Sequence, residues 1–88
     1  MRSYIVVYTL KTPGKDYVAL WKALMSYPRN ARIDESVWIV ESSGTAATIR
    51  DHLARSIDAN DRLYVGGLTG EAAWTNLPKQ TSDWLRAA

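Results

Sequence analysis

An α/β sandwich, with an antiparallel sheet of four strands backed by two helices, is the fold this sequence predicts. Three observations lead to it. Tyr4–Leu10 is dominated by β-branched residues and tyrosine, which suit a pleated surface. Val37–Val40 is a second strand of the same kind. Stripes of apolar residues at helical spacing then alternate with the strands, in the order strand, helix, strand, strand, helix, strand.

The first strand places Tyr4, Val6, Tyr8 and Leu10 on one face and Ile5, Val7 and Thr9 on the other. Neither face is polar as a solvated side would be, so this is a central strand with both sides covered. Lys11–Lys15 contains the breaker pair Pro13-Gly14 and reads as a turn. The spacing of Tyr17, Leu20, Trp21 and Leu24 predicts a helix from Asp16 to Ser26, stopped by Tyr27-Pro28. A second strand runs from Arg29 to Ile33, and Asp34-Glu35-Ser36 forms a short turn or a bulge within a hairpin.

Val37–Val40 is apolar on both sides, like the first strand. Ser42–Thr45 supplies hydroxyl caps for a helix over Ala46–Ser56, with Ala46, Ile49, Leu53 and Ile57 toward the core. Asp58–Asp61 has turn composition. Arg62–Leu68 is the last core strand, and Gly66-Gly67 signals a bulge or a close backbone approach. Beyond Gly70, Glu71–Asn76 is a short strand or a loop around Trp74. Pro78 opens a final helix at its first position, with Thr81, Trp84, Leu85 and Ala88 on one face.

This element order is that of a ferredoxin-like βαββαβ sandwich, residues 1–70, with a C-terminal extension, residues 71–88, that belongs to the same domain or to a dimer interface. Helices cover one sheet face only. A second copy packed sheet against sheet, or the tail with Trp74 and Trp84, must cover the other.

With 88 residues and no cysteine, one small domain folds without disulfides or thiolate metal sites. A hydrophobic content of 47%, with four Trp and five Tyr, excludes a disordered chain. The net charge of +2 permits an anionic partner without specifying one. No apolar run is long enough to span a bilayer and no basic leader precedes one, so a cytoplasmic protein is expected.

Conventional catalytic sets are thin. His52 is the only histidine, which excludes sites built from several imidazoles, and it reads as structural. Asp34 and Glu35 could offer oxygen ligands to Mg²⁺, with Ser36 beside them; two solvated acids in a turn is the plainer reading. Arg29 and Arg32 are candidates for phosphate contact, or ordinary surface charges. Trp21 and Trp38 fall at core spacing.

Ser3–Leu10, followed by a helix and then Glu35–Val40, resembles the small CRISPR-associated Cas-two proteins, and is closest to their stand-alone, SinR-like relatives. Ile49–Leu53, Ile57–Asp61, Asn76–Gln80 and Ser82–Leu85 fit the same branch, so the resemblance spans nearly the whole chain. It implies a ferredoxin-like fold and a homodimer formed through the sheet face. Nucleic acid or a CRISPR integrase-like protein would be the further partner. In that family the first strand ends Val-Tyr-Asp, and the two Asp of a dimer could share a divalent ion. Here the match is Val7-Tyr8-Thr9. A hydroxyl brings no negative charge to a hard cation. The expected function is a non-catalytic nucleic-acid-associated or protein-interaction module, with no cofactor. The alternative is a Mg²⁺-dependent endonuclease, for RNA or DNA, or an RNA-cutting toxin of the same superfamily.

Overall fold

The computed structural model describes residues 1–11 and 17–87. Its elements are β1 (Arg2–Thr9), α1 (Val18–Met25), β2 (Arg29–Asp34), β3 (Val37–Ser42), α2 (Ala46–Ala54), β4 (Arg62–Gly67) and α3 (Lys79–Ala87). The sheet is antiparallel in the order β2-β3-β1-β4, so the first strand is central, flanked by β3 and β4. This is a ferredoxin-like α/β sandwich followed by a third helix.

The strand register sorts the side chains. Val6 pairs with Trp38 and Val65, and Tyr4 with Val40, on the face that meets α1 and α2. Val6, Val40, Leu20, Leu24, Ile49 and Leu53 are completely or almost completely buried there, joined by Tyr4, Tyr8, Tyr17 and Trp38. Both helices present the stripes expected from their spacing. Ile5, Val7, Val37 and Ile39 lie on the opposite, outer face and are only half-buried.

Boundaries shift for local reasons. The first strand begins at Arg2 and ends at Thr9, because β3 continues to Ser42 and pairs with Arg2. Tyr17 caps α1, and its carbonyl accepts from Leu20 and Trp21 N–H groups. The expected first helical residue, Asp16, and the Pro13-Gly14 turn lie outside the described residues. Glu35 and Ser36 form a tight turn, and the register also shifts between Arg32 and Asp34, so the β2–β3 hairpin contains both a turn and a bulge.

α2 stops at Ala54, two residues short of the expected end. Its start is secured by a capping box in which the Thr45 hydroxyl accepts from the Thr48 N–H and the Thr48 hydroxyl accepts from the Thr45 N–H. Thr45→Ala is expected to cost about 1 kcal/mol, measured by urea denaturation.

β4 contains no bulge. Gly66 instead gives room to Tyr64, whose ring folds along the outer face; a Cβ at Gly66 would stand 2.8 Å from that ring. Residues 71–76 form a loop with no strand. Pro78 stands just before α3, its carbonyl accepting from the Ser82 N–H. Ser82 is the buried residue of α3, and its hydroxyl accepts from the Trp74 indole at 2.8 Å, which ties loop to helix.

Asp61 joins the other end of the molecule. Its carboxylate accepts from the Lys11 and Asp58 N–H groups, each at 2.7 Å, and from the Tyr17 hydroxyl at 3.1 Å. One side chain thus connects the end of β1, the start of α1 and the turn before β4.

Candidate functional site

The residues marked by the sequence fall in two places. Thr9 ends β1 with its side chain exposed, in register with Arg62. The Tyr8 N–H donates to the Ser36 carbonyl, so the Asp34-Glu35-Ser36 turn lies at this same end of the sheet. Sequence positions far apart therefore meet here: Thr9, Asp34, Glu35 and Ser36.

What holds this end together is chiefly backbone and hydroxyl. The Trp38 indole donates to the Tyr8 hydroxyl at 3.2 Å, and Tyr8 donates to the Glu35 carbonyl at 3.1 Å. The Arg32 guanidinium donates to that same carbonyl at 2.7 Å. One Asp34 oxygen accepts the Glu35 N–H at 2.8 Å, as a local turn cap. Among the described residues, no three His, Asp or Glu side chains are grouped so as to hold a metal ion.

The two candidate phosphate-binding arginines point to opposite faces. Arg29 is on the outer face, where its guanidinium bonds Glu41 at 3.0 Å and lies 4.6 Å from the Trp84 ring centroid. That arrangement anchors α3 to the sheet. Arg32 is on the helix side, beside the rings of Trp21 and Trp38, and remains exposed. Of the pair, Arg32 is the one whose charge has no carboxylate partner among the described residues. His52 is half-buried and its Nδ1 meets the Tyr27 hydroxyl at 2.8 Å, which is a structural bridge between α2 and the end of α1. Burial raises the Tyr27 pKa above its ordinary value, so its hydroxyl keeps its proton at neutral pH.

The second place is the outer face of the sheet. The C-terminal arm covers its Arg29–Glu41 end and leaves a cleft of about 350 Å³ lined by Ile39, Leu68, Trp74, Trp84 and Leu85, with Glu71 and Arg86 also lining it. Among the described residues, no element closes over the other end, which carries Val7, Val37, Thr9 and Tyr64. Tyr64 is 65% exposed and Leu68 is 40% exposed. Sequence spacing had marked neither. A Tyr two residues before a Gly on one strand face was the available signal, since only Gly lets the ring lie down.

Strand order and pairing place the protein in the ferredoxin-like class of α/β sandwiches. No family model matches the sequence. Among solved structures, the chain is similar to the crystal structure of a hypothetical protein, TT1823, from Thermus thermophilus. The TM-score is 0.65 at 24% identity, over 88% of this chain and 94% of that one. At that identity the likeness shows the fold alone. No helix among the described residues is long and apolar enough to cross a membrane.

Proposed function

We propose that this chain is a cytoplasmic, homodimeric module of the Cas-two-like kind, which holds nucleic acid or a partner protein and does not cut it. One observation carries the reading: among the described residues, the outer sheet face, apolar at Ile5, Val7, Val37 and Ile39, is covered by the tail at one end only. A second copy placed face to face would bury the exposed end and bring partner side chains toward the Trp74–Trp84 cleft. The end of β1 supports the non-cutting half of the proposal, since Thr9 lies opposite the cationic Arg62 and offers no carboxylate.

Binding to nucleic acid is tested with short DNA and RNA duplexes at low salt. The reading expects affinity that falls steeply as salt is raised, because phosphate contacts release counterions. Arg32→Ala should lower the affinity for every sequence alike. Undetectable binding at low salt would leave only the protein-interaction form of the module.

The convergence of Thr9 with Asp34 and Glu35 at one sheet end favours a second reading, a Mg²⁺-dependent nuclease. It predicts cleavage that EDTA abolishes and that Glu35→Ala reduces at least about tenfold. Cleavage that persists in both Asp34→Ala and Glu35→Ala would eliminate it.

A further inference from the structure

The sheet has two edges, and they are built differently. β2 carries the devices that prevent an edge from pairing with another strand. It has three charged residues, Arg29, Arg32 and Asp34, a bulge between the last two, and α3 packed against it. β4 has a single charge, Arg62, and no bulge, and α2 packs on its inner face. Its pairing with β1 is unshifted from Arg62 to Gly67.

The register fixes which backbone groups are open. The Leu68 N–H donates to the Ser3 carbonyl. Hydrogen-bonded pairs alternate along an antiparallel ladder, so Gly66, Tyr64 and Arg62 also bond β1. The N–H and C=O groups of Gly67, Val65 and Leu63 therefore point outward, away from the sheet. Their spacing of two residues matches the bonding period of an added strand.

The side chains beside this edge leave room. α2 lies over β4 and turns Ala46 and Ala47 toward it, forming a cleft of about 240 Å³ with Leu63 and Val65. A second cleft of about 450 Å³ continues past Ala54 and Ile57. Arg50 lines both clefts. Its ion pair with Asp51 is a neighbour contact on an exposed helix surface, with side chains 59% and 66% exposed, and so holds it weakly. Arg50 is the cationic side chain that lines both clefts, so an incoming carboxylate belongs there.

We propose that the open edge of β4 is a docking site for an extended segment of a partner protein, added as a fifth strand. Its backbone bonds Leu63, Val65 and Gly67. Two of its aliphatic side chains enter the clefts beside α2, and an acidic side chain between them, two residues from each, meets Arg50. This surface is separate from the outer face of the proposed dimer, so either can fail without the other.

The test uses the whole chain, labelled for amide NMR, and the blocked heptapeptide Thr-Val-Thr-Glu-Thr-Val-Thr as probe. The expected result is saturable shifts centred on the Leu63, Val65 and Gly67 amides. Methylating alternate peptide amides should weaken binding at least about tenfold, because it removes the strand's donors. Val65→Pro should abolish binding while leaving the spectrum of the remaining sheet intact, since that N–H makes no bond to β1. If Val65→Pro unfolds the chain, the methylated peptide still decides. No binding at millimolar peptide would overturn the proposal, as would shifts centred on Val7 and Val37 or equal binding of the methylated probe. Leu63 and Gly67 amides already protected in the free protein, and released on dilution, would mean that a second copy occupies the edge, and would overturn it too.

Discussion

Asp61→Ala should destabilise the fold by roughly 3 kcal/mol, lowering the melting temperature by on the order of 15 °C for a domain of this size. The carboxylate accepts from the Asp58 N–H, the Lys11 N–H and the Tyr17 hydroxyl, and truncation removes these three bonds at once. Lys11 is exposed and recovers its bond from water, so the loss falls mainly on Tyr17, whose residue is 5% exposed, and on Asp58. Tyr17→Phe removes the hydroxyl but keeps the ring in the core. It should cost about 1 kcal/mol, and the double variant should cost less than the sum of the two. Thermal and urea unfolding of the three variants provides the check. Additive losses would mean that Asp61 and Tyr17 act independently.

Val7→Glu should convert the proposed dimer to monomers. Val7 sits between Val37 and Tyr64 on the uncovered end of the outer face, where its exposure in one chain is already limited. In a monomer the new carboxylate can reach water past its neighbours. In a face-to-face dimer it would be buried without a partner, and two-fold symmetry repeats the penalty in both subunits. About 3 kcal/mol or more of lost association corresponds to roughly two orders of magnitude in the dissociation constant. Glu41, already on this face but bonded to Arg29, shows how the chain handles an acid there: it is paired and set under the arm.

Much of the fold was legible in the sequence, and the physical reasons differ by element. Strands β1 and β3 and the stripes of α1 and α2 follow from apolar periodicity, which is written in the local order of the residues. The capping of α2 follows from local hydroxyl chemistry at Ser42–Thr45. Helix ends were less legible: α2 stops early, with Arg55 as its cap, and no Gly or Pro at that point marks it. The two readings of the 34–36 segment were not alternatives, since the chain turns at Glu35-Ser36 and bulges just before it.

The candidate site was legible as a set of residues but not as an arrangement. Thr9, Asp34, Glu35 and Ser36 are gathered by antiparallel pairing of β1 with β3, which spacing along the chain does not reveal. Arg29 and Arg32 look like neighbours in sequence, yet three residues along a strand puts them on opposite faces. Apart from the local Asp58–Asp61 bond, the Tyr8 and Asp61 hydrogen-bond hubs depend on contacts 27 to 50 residues apart, which no local pattern announces. The general signal was present, because a tyrosine on a buried strand face requires a partner for its hydroxyl.

The second apolar face of β1 was the earliest sequence feature to call for something outside the sandwich. The C-terminal arm answers part of that need, at Ser3, Ile39 and Arg29. The rest is the basis of the proposed dimer. Sedimentation equilibrium of the unmodified chain at micromolar concentration, beside Val7→Glu, tests it most directly. The account predicts about twice the 9.9 kDa chain mass for the first and a single chain mass for the second, with equal secondary structure by circular dichroism. A monomeric unmodified chain, or a Val7→Glu variant that stays dimeric, would contradict it.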